Sequence, residues 1–137
     1  MVALPRASTC EIAGWGLYPT EACQVYRPER EAELAALLSR APEATLLSRG
    51  MGRSYGDASL NAGQGVVLHQ RFDRFLEFDE SEGVVSCEAG VTLADLIDTA
   101  LPRGFFPPVT PGTKQISVGG AIAADVHGKN HHRDGTI

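Results

Sequence analysis

The segment from residue 111 to residue 132 concentrates glycines, small alanines and imidazoles. Glycine has no Cβ, so a loop with Pro-Gly and Gly-Gly steps lets its backbone come very close to a bulky guest. Ser117 precedes Gly119-Gly120 and can cap a short helix, whose first N–H groups would face a phosphate or another electron-rich group. Three histidines, an asparagine and a lysine follow within six residues, 127–132. The sequence therefore predicts a large flat or anionic guest at this segment.

A second glycine-punctuated loop, Gly50-Met51-Gly52-Arg53-Ser54-Tyr55-Gly56-Asp57, follows a predicted buried strand. Its spacing is not the GxGxxG of a nicotinamide-binding turn and no helical pattern follows it, which argues against a Rossmann fold. A phosphate loop ending in Lys-Ser or Lys-Thr is also absent from the sequence. Taken alone, these glycines indicate a plain turn. The presence of the Gly119-Gly120 loop favours a cofactor-binding interpretation for both.

The histidines leave other interpretations open. Imidazoles together with Asp125 or Asp134 could ligate zinc or copper, and a solvated loop would need no ligand at all. The spacing His-x3-His-His lacks a known ligand frame. We therefore prefer an organic cofactor near the histidines and predict no metal site.

The elements that must position these loops alternate between strands and helices. Apolar spacing predicts one helix over residues 29–40 and a second over 92–101, in which Thr92 and Asp95 form a capping box. Short strands are predicted at 24–27, 44–49, 65–68, 76–79 and 84–88, whereas residues 1–23 have no sustained period and read as an irregular lead-in. The prediction is an α+β fold of short strands interleaved with two helices. His69 and Cys87 fall in strand patterns and are predicted to be packing residues.

Composition narrows the range of functions. The 137 residues are 43% hydrophobic and 21% charged, which is typical of a globular chain that can bury a core. Twelve Lys and Arg against 17 Asp and Glu give a net charge of −5, so we expect no nucleic-acid partner. The sequence contains no apolar run of membrane-spanning length and no visible secretory signal. Three cysteines without CxxC spacing suit reduced thiols and a cytoplasmic location.

Three motifs in this order resemble the FAD-binding domain of the vanillyl-alcohol-oxidase flavoprotein family, also called the PCMH type. They are Arg49 to Gly56, Glu88-Ala89-Gly90-Val91-Thr92-Leu93, and Pro111-Gly112-Thr113 with Val118 to Ala123. Gly14-Trp15-Gly16 and the tail from Asp125 to His132 bring the chain closest to the sugar and alditol oxidases of that family. The resemblance covers roughly residue 13 to the end.

The resemblance implies a site for FAD. The loop from Gly50 to Tyr55 would wrap the pyrophosphate with backbone N–H groups, the segment from Gly112 to Ala124 would follow its other side and the ribityl chain, and His127 would lie near the isoalloxazine. Covalent members carry a histidine at the position of Tyr55, so the flavin is expected to be non-covalent. The implied cofactor-binding residues are Gly50, Met51, Gly52, Arg53, Ser54, Tyr55, Pro111, Gly112, Thr113, Ser117, Gly119, Gly120, Ala123, Ala124, Val126, His127, Gly128, Asn130 and His131.

The implied activity is oxidation of a CH–OH group in a sugar or polyol derivative, lipid-linked derivatives included, with hydride transfer to flavin N5. His127 is the candidate catalytic residue, because a histidine can polarise a flavin edge or move a proton near neutral pH. An NAD-dependent reductase is a partner by resemblance.

The family's flavin domain continues further and is followed by a cap domain. We therefore expect residues 24–137 to be the N-terminal part of an FAD-binding domain, truncated and without its cap. The alternatives are a non-catalytic fragment without flavin and a small histidine-based metal-binding module.

Overall fold

The computed structural model describes residues 2–137. The chain divides into two compact units, the first ending at Phe72 and the second beginning at Asp73. Strands and helices occur together, which confirms the predicted α+β class. Among the described residues, no helix is both long and apolar enough to cross a membrane.

The first unit contains a four-stranded mixed sheet and one helix. Its elements are β1 (Ser8–Ala13), β2 (Thr20–Tyr26), α1 (Glu31–Arg40), β3 (Leu46–Arg49) and β4 (Gly65–Leu68). The strand order is β1-β2-β4-β3, in which β1 and β2 are antiparallel while β4 runs parallel to both β2 and β3. The predicted helix and the three predicted strands of this unit are confirmed, with ends shifted by a few residues.

The core of this unit contains two apolar clusters. Cys23, Val25 and Val66 form one, and Tyr26, Leu37 and Val67 form the other. Val66 and Val67 are adjacent, so their side chains project to opposite faces of β4 and that strand is buried on both sides. Leu37 brings the apolar face of α1 onto the second cluster.

The buried phenol of Tyr26 connects β2 to the chain that precedes β3. Its hydroxyl lies 2.8 Å from each carboxylate oxygen of Glu43. Burial, together with the hydrogen bond and the negative charge of Glu43, raises the pKa of Tyr26 to about 12. The hydroxyl therefore remains a hydrogen-bond donor at any ordinary pH.

The prediction that residues 1–23 are irregular is wrong, because part of this segment forms regular β-strand. Residues 8–13 form β1, and β2 begins at Thr20. The two strands pair from Ser8 opposite Val25 to Ala13 opposite Thr20. An edge strand of six residues with little alternation has too short a pattern to stand out, and its partner along the chain supplies the hydrogen bonds that fix it.

The second unit contains a hairpin followed by helices. Its elements are β5 (Phe75–Asp79), β6 (Val84–Cys87), α2 (Leu93–Ala100), a 3₁₀ turn (Leu101–Arg103), α3 (Val118–Ala123) and α4 (His131–Asp134). The first two strands are antiparallel. Leu93, Ile116 and Ala121 form the apolar core, against which Val118, Val126 and Ile137 pack.

The capping box predicted for α2 is confirmed. The hydroxyl of Thr92 accepts a hydrogen bond from the Asp95 N–H at 3.1 Å, and the Asp95 carboxylate accepts one from the Thr92 N–H at 3.0 Å. The helix ends at Ala100, and Gly104 follows in the left-handed region at φ +85°. Besides the two longer helices, the structure contains α3, the short helix that Ser117 was expected to cap, and α4, which was not predicted.

Candidate cofactor-binding site

The loop from Gly50 to Gly56, which we call the glycine loop, leaves the carboxyl end of the edge strand β3. Gly52 has φ +64° and Gly56 has φ +57°, the left-handed region that glycine adopts without a Cβ penalty. The Tyr55 side chain is 76% exposed. The loop is therefore shaped by its backbone and not by side chains packed in the core.

Backbone donors of the glycine loop remain available to a ligand. Within residues 2–137, the N–H groups of Gly50, Met51 and Gly52 donate no hydrogen bond to another group of the chain. Successive N–H groups around a left-handed glycine form a concave site for anions. These residues therefore fit a phosphate or pyrophosphate group.

The chain that follows β1 supports the glycine loop from one side. The Trp15 N–H donates to the Ser54 carbonyl at 2.8 Å. A Cβ at Gly14 would lie 2.6 Å from the Ser54 carbonyl oxygen and 2.7 Å from the Gly56 carbonyl oxygen, so only glycine fits there. The Arg53 guanidinium lies 5.2 Å from the Trp15 ring centroid, a cation–π contact. Gly14 therefore supports the glycine loop, a role that was not predicted from the sequence, where Gly14 appeared only within the family motif Gly14-Trp15-Gly16.

Arg49 lies beneath the glycine loop, and sequence reasoning did not include it among the site residues. Its guanidinium donates to the Ser59 carbonyl at 2.9 Å, to the Ser59 hydroxyl at 2.7 Å and to the Ala13 carbonyl at 2.6 Å. The sequence signal that could have found it is an arginine that closes a buried-strand pattern directly before a glycine loop.

In the second unit, Ser117 caps α3 as predicted, but the role expected for the first N–H groups of this helix is wrong. The Val118 N–H donates to the Val91 carbonyl at 2.8 Å, and the Gly119 N–H donates to the Ala89 carbonyl at 2.9 Å. The Gly120 N–H donates to the Ser117 hydroxyl at 3.3 Å. The chain itself satisfies these donors, so they are not free to face a phosphate.

Close backbone approach explains two glycines of this unit. A Cβ at Gly119 would lie 2.8 Å from the Ala89 Cβ. A Cβ at Gly128 would lie 2.7 Å from the Thr110 carbonyl oxygen. Both glycines therefore let the chain pack against itself, which is a different use from close approach to a guest.

The remaining candidates of residues 111–126 differ in exposure. Gly112, Gly120, Ala123 and Ala124 are exposed, whereas Pro111, Thr113 and Val126 are half-buried. The Thr113 hydroxyl accepts a hydrogen bond from the Gln115 N–H at 3.1 Å. Val126 packs on the apolar core of the unit. The small residues Gly112, Gly120, Ala123 and Ala124 are therefore accessible to a ligand.

The rings of the histidine segment, residues 127–132, lie close to one another. His127 is exposed and its backbone bridges to Thr136, while its ring lies 5.0 Å from that of His131. Nδ1 of His131 lies 3.0 Å from the Gly128 carbonyl oxygen. The Asn130 side-chain amide donates to the Pro108 carbonyl at 2.9 Å and to the Asp134 carboxylate at 2.8 Å. Asn130 therefore fixes this loop, and the imidazole of His127 is open to solvent, as are those of His131 and His132.

The alternative of a metal-binding module receives no support. Across residues 2–137 no group of three or more His, Cys, Asp or Glu side chains is placed to hold a metal ion. His69 and Cys87 are both half-buried, and His69 follows the end of β4. The His69 ring centroid lies 5.8 Å from that of Phe72, and burial lowers the pKa of His69. Burial likewise raises the pKa of the half-buried Cys87 thiol.

The candidate residues thus form two groups, one in each compact unit: the glycine loop in residues 2–72, and residues 111–131 in residues 73–137. The unpaired amides of the glycine loop fit the phosphates of a nucleotide cofactor. The chain belongs to the FAD binding domain family, which matches residues 22–137, and FAD is its cofactor. This confirms the family that the three sequence motifs indicated.

Individual relatives agree with this assignment. The chain is 40% identical over 133 residues to decaprenylphosphoryl-beta-D-ribose oxidase of Mycolicibacterium smegmatis, covering 95% of this chain and 29% of the relative. It is 33% identical over 115 residues to a D-lactate dehydrogenase of Archaeoglobus fulgidus, covering 82% of this chain and 26% of that one. The chain therefore spans less than a third of the length of these relatives.

Solved structures show the same fold. Alkyldihydroxyacetonephosphate synthase matches with a TM-score of 0.71 and 18% identity, over 85% of this chain and 23% of that protein. Aclacinomycin oxidoreductase matches with a TM-score of 0.69 and 19% identity, over 90% of this chain and 26% of that one.

Proposed function

We propose that the intact protein is an FAD-dependent oxidoreductase that oxidises a CH–OH group of a sugar or polyol derivative, lipid-linked derivatives included. The observation that carries this proposal is the 40% identity to decaprenylphosphoryl-beta-D-ribose oxidase across 95% of the chain. That protein's name describes an oxidase acting on a ribose derivative. The unpaired amides of the glycine loop add a fit to the FAD pyrophosphate.

The residues of this chain have separate roles in the proposal. FAD, when bound, supplies the acceptor for the hydride that leaves the CH–OH carbon. The amides of Gly50, Met51 and Gly52 would bind its pyrophosphate. The family resemblance assigns residues 112–124 to the same cofactor. The His127 imidazole polarises the cofactor edge or moves a proton, since its ring is exposed and its backbone is fixed by the bridge to Thr136.

The flavin is held without a covalent bond in this proposal. Tyr55 stands where covalent members of the family carry a histidine, and a phenol offers no imidazole nitrogen for the usual linkage. The side chain is 76% exposed, so neither burial nor packing constrains it to another use.

A second candidate substrate class is a 2-hydroxy acid. The relative that favours it is the D-lactate dehydrogenase, at 33% identity over 82% of the chain. Both classes present a CH–OH group to the same kind of cofactor, so the residues of this chain serve either one. What differs is the group beside the reacting carbon, a carboxylate in one class and a further hydroxyl in the other.

Anaerobic flavin reduction separates the candidates. The intact protein, mixed without oxygen with a panel of sugars and alditols, is expected to lose its visible flavin absorbance. D-lactate and other 2-hydroxy acids form the comparison panel. Bleaching by hydroxy acids alone would replace the first proposal by the second, and a protein purified without flavin that takes up none from solution would refute both.

We further propose a division of roles between this chain and the rest of the protein. Residues 1–137 supply one part of the flavin site, residues 24–137 form the FAD-binding portion, and a substrate-binding cap lies outside them. An NAD-dependent reductase is the proposed protein partner. The three free thiols at Cys10, Cys23 and Cys87 support a reducing compartment such as the cytoplasm.

A further inference from the structure

The Arg49 side chain joins three parts of the first unit. One terminal nitrogen donates to the carbonyl and hydroxyl of Ser59, which is buried, and the other donates to the Ala13 carbonyl at the end of β1. Ser59 lies just after the glycine loop and Ala13 just before the Gly14 step that supports it. The guanidinium therefore fixes the chain on both sides of the loop.

The glycine loop also rests directly on this guanidinium. A Cβ at Gly52 would collide with a terminal nitrogen of Arg49 and would lie 2.8 Å from the guanidinium carbon. The backbone at Gly52 therefore packs against the guanidinium closely enough to exclude any side chain. This is the point at which the unpaired N–H groups of Gly50, Met51 and Gly52 are found.

The positive charge of Arg49 is uncompensated within residues 2–137. Its three acceptors are two carbonyls and a hydroxyl, and none of the described ion pairs includes it. Burial of the guanidinium lowers its pKa from the ordinary value, although an arginine stays charged. A half-buried cation without a counter-ion is costly unless an anion binds close to it.

We propose that Arg49 is a positioning residue for the FAD pyrophosphate, which fixes the amides of Gly50, Met51 and Gly52 and supplies the positive charge beneath them. This inference rests on the proposed binding of FAD at the glycine loop. The guanidinium acts through the loop backbone, since its own donors are already engaged by Ser59 and Ala13. It thus complements the amides, which touch the anion.

Arginine and lysine are not equivalent in this role. The planar fork of arginine serves separate acceptors with two terminal nitrogens, whereas an ammonium is a point charge on a flexible stem. Arg49→Lys therefore keeps the charge and loses the geometry. Arg49→Met keeps most of the stem and loses both.

The test measures FAD affinity of the intact protein, stripped of flavin, by quenching of flavin fluorescence at low and high salt. We expect Arg49→Met to bind FAD about ten- to a hundredfold more weakly, and to lose part of the salt dependence seen in the unmodified protein. Arg49→Lys should restore the salt dependence but not the full affinity. Arg27→Met, at an exposed arginine just after β2, is the matched control and should bind as the unmodified protein does.

Ser59→Ala keeps the experiment decisive if Arg49→Met does not fold. It removes one acceptor of the guanidinium without touching the loop, and it should weaken FAD binding about three- to tenfold. The inference would be overturned if Arg49→Met and Ser59→Ala both bound FAD with wild-type affinity. Where Arg49→Met is unfolded, wild-type affinity of both Ser59→Ala and Arg49→Lys would overturn it. If the unmodified protein binds FAD in these conditions, that result leaves the proposed function intact. An unmodified protein that binds no FAD would overturn both.

Discussion

Substitution of Gly14 by alanine should disturb the glycine loop without changing any residue of the loop itself. The added Cβ would lie 2.6 Å and 2.7 Å from two backbone carbonyl oxygens, those of Ser54 and Gly56. Neither oxygen belongs to a flexible side chain, so the loop backbone itself must move. The hydrogen bond from the Trp15 N–H to the Ser54 carbonyl, 2.8 Å long, crosses the same contact and would lengthen with that movement.

The magnitude follows from these two contacts. Overpacking against backbone costs about 1–3 kcal/mol, and weakening a hydrogen bond costs about 0.5–1.5 kcal/mol. Gly14→Ala should therefore lower the free energy of unfolding by about 1.5–4.5 kcal/mol. Because the same movement displaces the loop amides, the variant should also bind FAD at least about tenfold more weakly.

Gly16→Ala is the matched control two residues further along. None of the described atoms lies within 4 Å of a Cβ at Gly16, so its stability should change by less than about 0.5 kcal/mol. Urea unfolding and FAD titration of the intact protein, with both variants in parallel, provide the assay. Equal stability and equal FAD affinity of the two variants would refute the close contact between Gly14 and the glycine loop.

Four further predictions concern other parts of the molecule. His127→Ala should lower turnover of the intact protein by about 10²–10⁴-fold while changing its stability by only about 0.5 kcal/mol. His132→Ala, at another exposed imidazole, is the control and should leave both turnover and stability unchanged. Acid denaturation followed by centrifugation should leave the yellow flavin in the supernatant, since Tyr55 offers no imidazole for a covalent bond; colour in the pellet would contradict this. The hydrogen bonds from Arg74 lower the pKa of Glu88 below its ordinary value. The unmodified protein should therefore be more stable than Glu88→Gln at neutral pH, and this difference in the free energy of unfolding should disappear as the pH falls through the lowered pKa. A difference that persists in acid would exclude the Arg74 pair as its cause. Residues 1–137 on their own should bind FAD with a Kd no tighter than about 1 μM, and calorimetric titration giving sub-micromolar affinity would mean that the site is already complete.

The elements that the sequence predicts well are those encoded by local signals. The helix Leu93–Ala100 begins at a Thr-x-x-Asp capping box and carries a clear apolar stripe, so its start was predictable from a few residues. Val66 and Val67 lie in an apolar run bounded by glycine and turn residues, which predicts a strand. The burial of that strand on both faces is a finding of the structure.

Features that depend on pairing with distant chain were missed. The strand Ser8–Ala13 exists because it pairs with Thr20–Val25, and six residues of weak alternation do not reveal that. The amides at the start of α3 look free in the sequence because the carbonyls that occupy them belong to Ala89 and Val91, well before the helix along the chain. In each case the deciding partner lies outside the window in which a pattern is read.

Only part of the candidate site was predictable, because some of its residues also depend on partners that are distant along the chain. The glycine loop was identified from its own residues together with the family motif. Arg49 begins that motif, but its role was not predicted, because the role comes from acceptors on Ala13 and Ser59 that only the fold brings together. An arginine at the end of a strand reads as a solvent-facing residue until its surroundings are known.

A crystal structure of the intact protein with FAD bound is the most direct test of the central claim, that the glycine loop holds the cofactor's pyrophosphate. We predict pyrophosphate oxygens about 2.7–3.2 Å from backbone nitrogens of Gly50, Met51 and Gly52. A pyrophosphate bound elsewhere, with those N–H groups still facing solvent, would contradict it.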